Sequence, residues 1–227
     1  MKQGSLAMQT TNQASCRFIS FEGIDGCGKS TLLQHLSQWL QDAGVAYLTT
    51  REPGGTPLGE SIRELLLDRA HQGMSQQAEA LLYYASRAQL VHEVIRPALK
   101  DGLWVLADRF SDATLAYQGF GRGLDLEMLR SLQSWATQGL TPHHTILLDC
   151  SLDTAAERLQ VKNHRPDRIE SEKRAFHARV RQGYLELARR DPARFVILDA
   201  DRPLESTLHQ LRTAFWDPVM VKGDHPS

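Results

Sequence analysis

Eight consecutive residues carry the clearest chemistry in the chain. Gly23, Ile24, Asp25, Gly26, Cys27, Gly28, Lys29 and Ser30 spell G-x-x-x-x-G-K-S. Glycines at both ends let the backbone turn with positive φ, so that successive N–H groups converge on one concavity. The helical pattern that follows adds the partial positive charge of a helix N-terminus. Lys29 can reach the β- and γ-phosphates of a nucleotide, and the Ser30 hydroxyl can ligate Mg2+. A glycine-rich turn without a ligand is the plain alternative. Against it, the apolar run Phe18, Ile19, Ser20, Phe21 precedes the loop and a helix follows, which is the context phosphate binding requires. The segment through Thr31 is therefore expected to hold a nucleoside triphosphate.

The rest of the chain narrows the reaction. A guanine-nucleotide switch needs Asn-Lys-x-Asp to read its base, and Lys162-Asn163-His164-Arg165 does not supply it. A motor-type ATPase ends a strand with paired acids, whereas the candidate strands here end Asp108-Arg109 and Asp149-Cys150. Asp108 offers a carboxylate for the metal region, and Arg109 beside it can grip a second phosphate with two parallel hydrogen bonds. That pairing suits transfer to a phosphorylated acceptor rather than to water.

Five short apolar segments must position these residues: 17–22, 45–50, 103–108, 144–149 and 195–199. Helical stripes lie between them. Leu32, Leu33, Leu36, Trp39 and Leu40 form the first, with Gly44 placed to end it. A second spans 79–99 with Pro97 near its end, and a third starts at about 171, with Phe176, Val180, Tyr184 and Leu187 on one face. Strands alternating with helices predict an α/β fold, a doubly wound five-stranded parallel sheet. The 227 residues, 41% hydrophobic and 23% charged, suit a single globular domain over 17–216, with a flexible segment 1–16 and a tail 217–227. Lys plus Arg is 26 and Asp plus Glu 27, a net charge of −1, which argues against coating nucleic acid or an anionic membrane. No apolar run reaches the roughly 18 residues of a membrane span. Cys16, Cys27 and Cys150 are scattered and odd in number, as expected of free thiols in a reducing cytoplasm.

The loop in its form Phe-Glu-Gly-x-Asp-Gly-x-Gly-Lys-Ser is one of four stretches that together resemble a known family. The others are Arg51-Glu52-Pro53-Gly54-Gly55-Thr56, Asp108-Arg109 followed by Tyr117-Gln118-Gly119, and Asp167-Arg168-Ile169-Glu170. They resemble the bacterial thymidylate kinases, phosphate-loop enzymes that convert dTMP to dTDP with ATP and Mg2+, and the likeness runs from about residue 17 to 216. The resemblance implies a homodimer and a set of roles. Asp25 would lie near the acceptor sugar and the metal, and Ser30 and Asp108 would serve the metal. Glu52, Pro53 and Gln118 would border dTMP. An aromatic ring, Tyr83 or its neighbour Tyr84, would stack on thymine, and Arg87, on the same helical face as Tyr83, would meet a thymine carbonyl. Two core aromatics on an amphipathic helix are the competing account. Arg109 would clamp the acceptor phosphate, unless it serves a structural ion pair. Thr114 would approach the base edge, unless it caps a helix locally, and Tyr117 would crowd out a 2′-hydroxyl. The segment Asp199-Ala200-Asp201-Arg202-Pro203-Leu204 resembles the loop beside adenine, though a plain turn fits equally.

The lid, at about 158–170, departs from the family. An Arg is usual four residues before the Asp of Asp-Arg-Ile-Glu, and here that position is Asn163. Lys162 and Arg165 flank it. Arg165 is the expected catalytic cation beside Lys29, Asp25 and Arg109, because a planar guanidinium bridges two oxygens and Pro166 restrains its backbone. Residues 157–194 carry 11 Lys and Arg against 6 Asp and Glu, while the remainder carries 15 against 21. Either a solvated helix face or a basic flap that meets a polyanion accounts for that excess.

Overall fold

The computed structural model describes residues 17–161 and 166–222. The expected N-terminal segment and the lid positions Lys162, Asn163 and Arg165 lie outside the described residues. Five strands form one sheet: β1 Phe18–Glu22, β2 Tyr47–Arg51, β3 Trp104–Asp108, β4 His144–Asp149 and β5 Phe195–Asp199. Their order is β2-β3-β1-β4-β5, and every pairing is parallel. The helices are α1 Lys29–Asp42, α2 Pro57–Leu67, α3 Gln76–Leu90, α4 Arg96–Lys100, α5 Ser111–Thr114, α6 Leu126–Thr137, α7 Leu152–Val161, α8 Arg174–Arg190, α9 Leu204–Leu211 and α10 Asp217–Lys222. The expected doubly wound α/β architecture is the observed one.

Sheet periodicity divides the core in two. Ile19, Phe21 and Leu106 belong to one buried cluster, whereas Phe18, Val105 and Ala107 belong to another. Side chains alternate between faces along a strand, so each central strand must be apolar on both. The chain leaves β1 for β2 on one side and leaves β4 for β5 on the other. Connections that part in this way open a crevice at the C-terminal ends of the strands, where the phosphate loop sits.

Several boundaries differ from the sequence expectation, each for a local reason. Strand β2 begins at Tyr47 rather than 45, because the Val45 N–H still closes the end of α1 on Leu40 O at 2.9 Å. The expected 79–99 helix is α3 and α4 joined by a wide turn at Val91–Ile95, in which Arg96 N–H reaches back five residues to Val91 O. That turn makes room for Pro97, which has no N–H to donate. Helix α2 went unpredicted, although Thr56 caps it by accepting from Gly59 N at 2.9 Å and Pro57 opens it. Helix α6 was missed likewise; Asp125 caps it through Met128 N at 2.7 Å. The third expected helix starts at Arg174, since Asp167 folds 168–171 into a separate turn by accepting from Ile169 N and Glu170 N. The expected tail begins as α10, with Val219 buried in the core.

Helix α8 packs tightly on the wide helical turn Leu115–Gly121 that follows α5. Glycines allow the approach: a Cβ on Gly183 would stand 2.7 Å from Phe120, and one on Gly121 would stand 2.7 Å from Phe176. Gly to Ala in a helix ordinarily adds up to about 1 kcal/mol. Here overpacking reverses the sign, so Gly183→Ala should lower the unfolding free energy by about 1–3 kcal/mol. Urea denaturation measures this, and a stabilised variant would mean that the contact relaxes freely.

Candidate active site

The phosphate loop crosses from β1 to α1 in the geometry its glycines permit. Gly28 is left-handed at φ 103° and caps α1. Gly26, at φ 84°, lies against α7, where a Cβ would come within 2.3 Å of Ala155 O. No other residue type fits there. Lys29 folds back over the loop and donates to Gly23 O at 3.2 Å and Ile24 O at 3.0 Å. Ser30 Oγ donates to Asp108 Oδ2 at 3.0 Å, so the two expected metal residues meet across the ends of α1 and β3. Cys27 is buried beneath, and burial pushes its thiol pKa up. A cavity of about 800 Å3 covers the loop from Asp25 to Leu32. Its far wall includes Arg158 of α7, and Ala200, Arg202 and Leu204 of the expected adenine segment. A groove of about 840 Å3 beside β2 touches this region only through Ser30, Arg51 and Asp108 and includes neither Lys29 nor the loop glycines.

A second, narrower cavity of about 80 Å3 adjoins the first. Pro53, Tyr83, Thr114, Tyr117 and Gln118 line it, with Asp167 and Ile169 from the segment before α8. Asp25, Glu52, Arg63 and Arg109 belong to the walls of both cavities. Two chambers thus share a partition made of two carboxylates and two guanidiniums.

Arg109 forms the centre of that partition. Its backbone is left-handed at φ 72°, unusual for a residue with a side chain. Its guanidinium donates to Gly23 O at 2.7 Å, to Asp25 Oδ1 at 2.5 Å, and to the hydroxyls of Tyr184 and Tyr117 at 3.2 Å each. Tyr117 in turn donates to Asp25 Oδ2 at 2.9 Å. Burial works to raise the pKa of Asp25, but the charges of Arg109 and Lys29 and the Tyr117 hydrogen bond outweigh it. The carboxyl is held well below the usual range and stays ionised.

The two tyrosines of α3 separate cleanly. Tyr83 faces the narrow cavity. Tyr84 turns into the core, where its hydroxyl donates to Leu129 O at 2.7 Å. Arg87 is bound on several sides by the protein itself. It is 1% exposed and donates to Glu52 Oε2 at 2.7 Å, Gln133 Oε1 at 2.6 Å, Phe110 O at 3.0 Å and Thr114 Oγ1 at 2.8 Å. In this structure the guanidinium lies behind the cavity wall and braces it, rather than presenting a donor to the cavity. Thr114 is correspondingly a partner of Arg87, not a helix cap. Gln118 is tied down too, donating to Glu79 Oε1 at 2.9 Å.

Sequence reasoning missed Arg63, Arg158 and Glu79. Arg63 donates to Pro53 O at 3.0 Å and reaches both cavities. Finding it required α2, whose Thr56-Pro57 start was the available signal. Arg158 donates to Cys27 O at 3.3 Å. Glu79 collects Arg122 at 3.1 Å and Arg168 at 2.7 Å, so the Arg of Asp-Arg-Ile-Glu anchors the turn at 168–171 to α3. The basic excess of 157–194 is largely matched by carboxylates from elsewhere in the chain. Arg174 pairs with Asp153, Arg181 with Asp149, and Arg194 with Asp112 at 2.6 Å. These arginines are internal partners rather than a free polyanion surface.

A triphosphate loop and a second chamber that meet at an arginine–aspartate pair are what a nucleotide kinase needs. The sequence model of the thymidylate kinase family matches residues 21–211. The chain belongs to the thymidylate kinase family. Thymidylate kinase of Trichlorobacter lovleyi is 52% identical over 188 residues, 81% of this chain and 89% of that protein. That of Desulfovibrio desulfuricans is 51% identical over 203 residues, covering 87% and 94%. The Deinococcus radiodurans enzyme is 48% identical over 206 residues, covering 91% and 97%. The burial of Arg87 yields a stability prediction. Arg87→Ala removes the cation bound to Glu52, whose carboxyl pKa burial already raises to about 7, and should cost about 3–5 kcal/mol. The double variant with Glu52→Gln should recover part of that loss in chemical denaturation, because a buried amide needs neither the cation nor an added proton.

Proposed function

We propose that this member of the family transfers the γ-phosphoryl group of ATP to dTMP, giving dTDP and ADP. The shared partition carries the proposal: a donor bound over Lys29 and an acceptor bound beside Tyr83 would bring their phosphates together at Asp25, Arg63 and Arg109. Tyr83 offers a ring for thymine to stack on. Tyr117, held by its hydrogen bond to Asp25, would crowd a 2′-hydroxyl in this reading. Glu52, Pro53, Thr114 and Gln118 complete the acceptor wall. The acceptor phosphate is already anionic, so no strong base is needed. Alignment and charge stabilisation do most of the work.

Residues Gly23 to Thr31 would cradle the triphosphate with backbone N–H groups and Lys29. The oxygens of Ser30 and Asp108, 3.0 Å apart, are hard ligands suited to Mg2+. Bound there, Mg2+ would neutralise charge on the donor phosphates. Arg165 remains the proposed lid cation, with Lys162 its competitor. A panel of nucleoside monophosphates in a coupled ADP-release assay tests the acceptor. dTMP should give the highest kcat/KM. A better alternative acceptor points to another deoxynucleotide kinase, and acceptor-independent turnover points to a nucleotide switch. In the same assay Lys29→Ala should retain under about a tenth of wild-type kcat, and Arg165→Ala should slow single turnovers by about 10²–10³.

A homodimer is part of this reading. Leu58 and Leu65 of α2, Leu81 of α3, and Met128 and Trp135 of α6 are exposed, Trp135 by 79%, on helices that pack side by side. Large apolar groups collected on one layer favour a partner surface. Sedimentation should give twice the chain mass, and Trp135→Glu should shift the protein toward monomer. The reading also places the enzyme in the cytoplasm, acting on small molecules rather than nucleic acid or a membrane. Cys27 and Cys150 are buried free thiols, in keeping with a reducing compartment. Among the described residues, no helix is long and apolar enough to cross a membrane.

A further inference from the structure

We propose that Glu22 and Tyr184 are positioning residues for Arg109, one holding its backbone and both together fixing the direction of its guanidinium. The inference rests on the reading of Arg109 as the clamp of the acceptor phosphate. A left-handed conformation at a residue with a Cβ is costly and persists only where its surroundings enforce it. Two successive residues at the end of β1 supply that enforcement. Phe21 O accepts Arg109 N–H at 3.0 Å, and Glu22 Oε1 accepts the next N–H, from Phe110, at 2.7 Å. The segment after β3 is therefore pinned on both sides of the Arg109 Cα.

The second oxygen of Glu22 reaches the other end of the same residue. Glu22 Oε2 accepts from the Tyr184 hydroxyl at 2.9 Å, and the Tyr184 oxygen accepts from Arg109 Nη1 at 3.2 Å. With its proton committed to Glu22, the Tyr184 hydroxyl presents a lone pair to the guanidinium. Glu22 is 0% exposed and Tyr184 1%, so neither can touch a bound nucleotide in this structure. Their effect on the acceptor has to pass through Arg109. Gly23 O holds the same nitrogen, Nη1, from the loop side, which leaves Nη2 to face Asp25 and Tyr117 at the partition. A guanidinium fixed on this edge has Nη2 set against Asp25 and Tyr117 at the junction before any phosphate arrives. That is preorganisation, which lowers the cost of binding.

Steady-state kinetics on three single variants and one double variant test the proposal. Tyr184→Phe keeps the ring in the core and removes only the relay, so the KM for dTMP should rise about tenfold, the size of one lost hydrogen bond to a charged group. The KM for ATP should change by less than about threefold, as for a group whose effect on binding is carried by the acceptor clamp. Glu22→Gln keeps an acceptor for Phe110 N–H but cannot take the Tyr184 proton through its amide nitrogen, and it should show the same selective rise. Arg109→Ala should raise the KM for dTMP further, and adding Tyr184→Phe to it should then have no additional effect, because the two act as one unit. Should Glu22→Gln fail to fold, Tyr184→Phe decides alone. Equal effects on both substrates, or additivity in the double variant, would overturn the positioning role while leaving Arg109 as the clamp. A normal KM for dTMP in Arg109→Ala would instead remove the clamp, and this inference with it.

Discussion

A carboxylate inside a phosphate-binding loop repels the anion the loop exists to hold, and Asp25 is such a carboxylate. Arg109 resolves the conflict by reaching from the end of β3 to within 2.5 Å of it. The pair joins two central strands at the crevice where the sheet connections diverge, and it turns a repulsive group into part of a fixed dipole at the boundary between two chambers. Everything near it is arranged to hold that pair. The left-handed backbone of Arg109 aims the side chain, Gly23 O and Tyr184 hold one edge of it, and Tyr117 bridges its face to Asp25. In phosphoryl transfer, oriented charge of this kind contributes most when it need not reorganise during the reaction.

The same economy of charge extends through the fold. The central strands carry buried polar groups that apolar periodicity alone would not place there. Ser20 meets Thr145 at 3.1 Å, and Thr145 donates to Asp112, which also receives Arg194. Each of these groups is satisfied by a neighbour from a different element. Ion pairs so buried add little net stability compared with apolar packing, but breaking one is expensive. They therefore act as registration points. Arg168, Arg174, Arg181 and Arg194 pair with acids on other elements, and the basic segment is folded onto the body of the protein through them.

The turn at 168–171 is tied to the wall of the narrow cavity by similar means. Glu79 lies one turn before Tyr83 on α3 and accepts from Gln118, a residue of the narrow cavity, as well as from Arg122 and Arg168. Burial acts to raise the Glu79 pKa, but the hydrogen bonds from Arg122 and Gln118 outweigh it and keep the carboxylate charged. That turn therefore has a fixed footing, with Asp167 and Ile169 contributing to the same cavity.

Much of this protein was legible in its residue order. The phosphate loop, the five strands and the parallel sheet follow from local signals: glycine spacing, short apolar runs and helical stripes. Tyr83 could be narrowed to one of two tyrosines and no further, because adjacent residues on a helix point about 100° apart and only packing tells which direction is the core. Helices α2 and α6 were lost because their caps are single residues in polar surroundings, and Arg63 was lost with them. The protein partners of Arg87 could not be read at all. Its type suits a ligand carbonyl and a buried brace equally, and the choice depends on Glu52, Gln133 and Thr114, which come from three other parts of the chain. The sequence by itself determined which groups can bind phosphate and which segments can pair. Which charges neutralise one another was decided only by tertiary structure, since electrostatic partners are chosen by distance in space, and distance along the chain does not encode it.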